Sequence, residues 1–113
     1  MSDTSKPYIR FPLSEELHEK TIEMLDALEE SEDPIQYRDV LGDLIVELTK
    51  AGIDYFFIRP LELAKVGFVK QKSATIGMTG IIKVMGPMIC RIIGGLNRSQ
   101  LMIICGYFRQ LIH

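Results

Sequence analysis

Only one stretch of this chain, Ile53-Asp54-Tyr55-Phe56-Phe57-Ile58, is aromatic and β-branched enough to be a strand, and no second segment offers itself as its partner. A strand without a partner leaves its backbone donors and acceptors unpaired. The stretch is therefore read as the buried start of a helix, and the remaining apolar residues recur at the three- and four-residue spacing of helices. The expected fold class is all-α: a compact bundle of four to five helices with an extended N-terminal arm. A chain of 113 residues is expected to form one domain, because a second core would have too little surface to bury.

Start and stop residues divide that domain. Pro7 and Pro12 forbid a regular helix before Leu13, so residues 1–13 form the arm, and Tyr8, Ile9, Phe11 and Leu13 give it apolar surface with which to dock. Ser14 caps a first helix that runs to about Glu30, with Glu15 and Glu16 where the helix dipole favours carboxylates. Asp33-Pro34-Ile35-Gln36 signals the start of a second helix, through a cap, a first-turn proline and a closing glutamine, and Gly52 ends it as a left-handed cap. Residues 14–51 thus read as an acidic helical hairpin and residues 53–112 as an apolar, basic helical part. Within the latter, Leu61 to Val69 is a third helical stretch ahead of a basic link, Lys70-Gln71-Lys72. Ser73 caps a fourth helix reaching Ile93 before Gly94-Gly95, and Asn97-Arg98-Ser99-Gln100 opens the last with a capping-box pattern.

The net charge of −2 conceals a division: residues 1–56 hold 14 acidic against 5 basic residues, and residues 57–113 hold 8 basic against 1 acidic. Either one half binds an anionic partner or the halves pack together and offset their own fields. The basic residues are spread out rather than clustered, which favours internal packing and argues against nucleic acid. The polar start, with no apolar run behind a basic segment, predicts no secretory signal and a cytoplasmic protein. In that compartment Cys90 and Cys105, both in apolar surroundings, are expected to be buried thiols.

Residues that carry chemistry are sparse. His18 with Glu15 or Glu19 offers two ligands at helical spacing, fewer than a metal site needs, and no metal is expected. The chain has neither a glycine-rich phosphate loop nor a Gly-x-Ser-x-Gly elbow. Asp54 and Glu62 flank the aromatic cluster but are read as a helix cap and a surface residue. These absences predict a protein that is not an enzyme and uses no cofactor.

The fourth helix is the remaining signal. Gly77, Gly80 and Gly86 each cost about 0.8–1 kcal/mol relative to Ala in a helix, and Pro87 brings a kink or a loss of about 3 kcal/mol. Close packing on the small face would offset this, and the expected function is a non-enzymatic protein-interaction module, a homodimer joined through the C-terminal helices and the arm. Gly80, Lys83, Gly86, Tyr8, Phe11 and Phe108 are its expected interface residues. The alternative is a binder of an apolar small molecule or lipid, in a pocket lined by Met78, Met85 and Met88 beside Pro87. Lys83 and Arg91 would each cost about 2.5–3.5 kcal/mol at a bilayer centre, which argues against a transmembrane span and leaves contact with a membrane surface.

Overall fold

Local hydrogen bonds set most helix ends in this chain, whose computed structural model describes residue 7 and residues 9–112. Every regular element among the described residues is helical, so the fold is all-α. Helix α1 (Glu15–Glu30) begins where the Ser14 hydroxyl accepts the Leu17 N–H at 3.1 Å. The Ser31 hydroxyl then ties the following link, accepting the Asp33 N–H at 3.0 Å and the Gln36 amide at 3.2 Å. Gln36 therefore closes on Ser31 rather than on an Asp33 capping box, and the first turn, Pro34–Tyr37, is 3₁₀. Helix α2 (Arg38–Ile53) follows it.

Gly52 does not end α2. The helix passes through it into a wide π turn, Asp54–Ile58, where the Arg59 N–H reaches the Asp54 carbonyl, and on into the short α3 (Arg59–Leu63). Pro60 stands just beyond the wide turn, and a proline offers no N–H to close an ordinary turn in front of it. The left-handed residue is instead Lys65, at φ 55°. The Lys65 N–H bonds the Glu62 carbonyl at 3.1 Å and the Val66 N–H bonds the Leu61 carbonyl at 3.3 Å, the pattern of a Schellman stop. The third helical stretch therefore ends at Leu63, not at Val69. Because the chain has already turned, Lys70-Gln71-Lys72 is the first turn of α4 (Phe68–Gly94) rather than a link, and Ser73 lies inside that helix. Helix α5 (Arg98–Leu111) opens with the expected reciprocal box: Asn97 Oδ1 accepts the Gln100 N–H at 2.8 Å and Gln100 Oε1 accepts the Asn97 N–H at 2.9 Å.

The chain divides into two compact units, one of residues 1–36 with 96–113 and one of residues 37–95. Residues 14–51, read as one hairpin, are shared between them. In the first unit α1 packs on α5. Leu25, Leu28 and Thr21 of α1 are buried, as are Leu101 and Cys105 of α5, and the Thr21 hydroxyl donates to the Leu17 carbonyl at 2.8 Å, so its burial leaves no donor unpaired. In the second unit α2 packs on α4, burying Leu41 and Leu44 with Met78 and Ile93, while the π turn adds Ile58.

Candidate interaction surface

The α2–α4 pairing decides which face of α4 is covered. A Cβ built on Gly42 would lie 3.2 Å from the Cα of Cys90, and one on Gly86 would lie 3.9 Å from Cγ1 of Val46. At the far end a Cβ on Gly94 would meet the Asp39 carboxylate at 3.6 Å. Each step of three or four residues along α2 is thus matched by a step of four back along α4, an antiparallel pair. Gly42 lets the backbones approach, and Cys90 reaches across to donate its weak S–H to Asp43 at 3.5 Å. Removal from water, reinforced by Asp43 beside it, raises the Cys90 thiol above its ordinary value.

Helix geometry places one row of apolar residues of α4 away from this contact. At about 100° per residue Ile81, Val84, Met88 and Ile92 share an arc of about 80° on the side opposite Gly86 and Cys90. All four are exposed, from 46% at Met88 to 73% at Val84. The helix is long and apolar enough, by length and composition, to cross a membrane, yet only 17% of its most apolar stretch is buried. In α5 a second exposed row, Ile103, Tyr107 and Leu111, recurs every four residues.

The residues expected at an interface fall in different settings. Gly86 is buried, and the helix its missing side chain admits is α2 of the same chain. Gly80 is exposed with open space where a Cβ would stand, and Lys83 is exposed beside it on the wheel. Phe11 is half-buried, and so is Phe108, whose ring meets Tyr107 edge-on at 6.0 Å. Tyr8 lies outside the described residues. Of the expected pocket residues, Met78 is buried, Met85 half-buried, and Met88 and Pro87 exposed. Among the described residues no three His, Cys, Asp or Glu side chains converge as metal ligands. Asp54 starts the π turn and Glu62 is an exposed residue of α3.

Two features escape the sequence reading. Gly42 carries the same helix cost as Gly77, Gly80 and Gly86, and that cost is the signal that would have found it. The other is a polar clamp in the first unit. Arg109 of α5 grips Glu29 with two parallel bonds, Nε to Oε2 at 3.1 Å and Nη2 to Oε1 at 2.7 Å, and Nη2 also donates to Asp26. The guanidinium holds the Glu29 carboxyl below its ordinary value, and the two carboxylates hold Arg109 further charged. Here a basic residue of the C-terminal half meets acidic residues of the N-terminal half. Beside the clamp the Cys105 thiol donates to the Leu25 carbonyl at 3.7 Å, and burial raises it. Both cysteines are free. No protein-family model matches the chain, and no curated protein or solved structure matches it either.

Proposed function

We propose that the chain is a non-enzymatic protein-interaction module that self-associates through its C-terminal helices, with the outer arc of α4 as the principal contact. The observation that carries this reading is the exposure of Ile81, Val84, Met88 and Ile92 along one line of a helix whose opposite side is already packed. Taking an aliphatic side chain of this size from full exposure to full burial is worth roughly 1.5–3 kcal/mol, and the exposed part of each of these four supplies its share of that drive towards another apolar surface. Their three- and four-residue spacing suits a second helix laid along α4. Gly80 borders the arc without a side chain to obstruct a neighbour, and Lys83 lies farther round, where its head stays in water. The row on α5 is a separate apolar surface in the other unit, and Ile9, exposed in the arm, offers a further contact.

The test is sedimentation equilibrium across a concentration range, with native mass spectrometry of the same sample. A dimer of about 26 kDa is expected, twice the 12.9 kDa of one chain, with no added mass. Val84→Asp, at an exposed position that the fold does not need, is expected to shift it to monomer. A wild-type monomer, or a variant that dimerises as strongly as wild type, would remove α4 as the contact. A monomer carrying a co-purified apolar compound would favour a ligand-binding protein instead.

A further inference from the structure

The connection between α2 and α4 forms a surface separate from the α4 arc. Within it Phe56 and Phe57 of the π turn are exposed, Leu63 at the end of α3 is 82% exposed, and Phe68 and Val69 at the start of α4 are exposed to 76% and 75%. Five large apolar side chains in 14 residues face water while the turn that presents them is firmly closed. Its left-handed Lys65 and the bond from the Gln71 amide to the Val66 carbonyl, at 3.1 Å, hold it shut. From Asp54 to Lys72 the chain holds four cations, Arg59, Lys65, Lys70 and Lys72, against two acids, Asp54 and Glu62. The Lys72 ammonium lies 5.8 Å from the centre of the Phe68 ring, and the Arg59 guanidinium 5.7 Å from that of Tyr55. Two of the cations therefore lie beside aromatic rings. Helix α4, which continues from it, adds Lys83 and Arg91 and holds no acid along its whole length.

We infer that this connection docks on an anionic lipid surface. Phenylalanine and leucine side chains at a tight turn enter the headgroup boundary without exposing unpaired backbone, since the turn satisfies its own donors. Lysine and arginine beside them reach outward to lipid phosphates and carboxylates, each adding attraction near a negatively charged leaflet. Charge complementarity selects the lipid: a neutral surface would accept the apolar residues and leave the four cations unused. The proposal does not rest on the α4 arc, so a chain can dimerise along α4 and dock through this connection.

Full-length protein is sedimented with vesicles of phosphatidylcholine alone and with vesicles containing phosphatidylserine, at low and high salt. Binding to the anionic vesicles is expected, falling steeply with salt as screening shortens the reach of the cations. The double variant Lys70→Gln, Lys72→Gln is expected to weaken it about 30-fold, and Leu63→Ser with Phe68→Ser by at least about 10-fold. All four positions are exposed, so the variants are expected to keep their helices, which circular dichroism checks. Arg98→Gln, which removes an exposed cation outside both the connection and the α4 arc, should bind as wild type does. Equal binding to both kinds of vesicle, no binding, or unchanged binding by the variants would overturn the proposal. So would a loss of self-association, without lipid, in the Leu63 and Phe68 variant, because the surface would then belong to a protein contact.

Discussion

The two helix pairs of this protein are joined by opposite means. In α1–α5 the partners are kept apart by side chains: Leu25, Leu28 and Leu101 fill the space, and a charged clamp of Arg109 on Glu29 and Asp26 closes its rim. In α2–α4 the partners approach through the absence of a side chain at Gly42. The first arrangement places the leucines inside and charge at the edge. The second covers Met78, Gly86 and Ile93 of α4 and leaves Ile81, Val84, Met88 and Ile92 facing outward. Helix α4 is apolar over more of its circumference than one partner helix covers, and the uncovered part stays exposed.

The contrast is open to direct attack. If leucine filling holds the first pair, Leu101→Ala, at a fully buried site, should destabilise the protein by about 2–5 kcal/mol in urea unfolding. A much smaller loss would show that the pair relies on its rim instead. In the second pair the informative change adds an atom. Gly42→Ala gains about 1 kcal/mol of helix propensity but forces a methyl within 3.2 Å of the Cys90 backbone, an overpacking worth about 1–3 kcal/mol, so a net loss is expected. Gly80→Ala, where the space is open, should instead gain up to about 1 kcal/mol, and equal effects at the two sites would dissolve the distinction.

The smallest effect belongs to the clamp, whose partners face solvent, and Arg109→Gln should cost about 0.2–1 kcal/mol at neutral pH. Glu29 is held below its ordinary value of 4.5, so its contribution is complete above that pH and is lost as the pH falls through the lowered value. Thermal midpoints of wild type and Arg109→Gln should therefore converge in acid. Curves that remain parallel through that range would deny the clamp a part in stability.

The elements that could be read from residues alone are those whose cause lies within a few positions. Ser14 caps α1, and Asn97 with Gln100 boxes α5, through bonds three residues long. Gly52 misleads because a glycine tolerates a stop without requiring one, and the left-handed residue the turn needed proved to be Lys65. The interface residues show the same limit: Gly86 was singled out for its lack of a side chain, yet the neighbour it faces is Val46 of α2 in the same chain. The helix cost of a small residue does not tell whether a helix approaches it, as the open space at Gly80 shows, nor whose helix arrives.

Helical content, the all-α class, the capped ends of α1 and α5 and the division of charge follow from composition, spacing and local hydrogen bonding. The pairing of α1 with α5 and of α2 with α4, the role of Gly42, the clamp on Arg109 and the outward turn of the α4 arc do not. Each depends on groups some 40 to 80 residues apart, such as Cys90 with Asp43 and Arg109 with Glu29. A periodic pattern shows that a helix has two unlike faces, but only the helix packed against it settles which face water keeps.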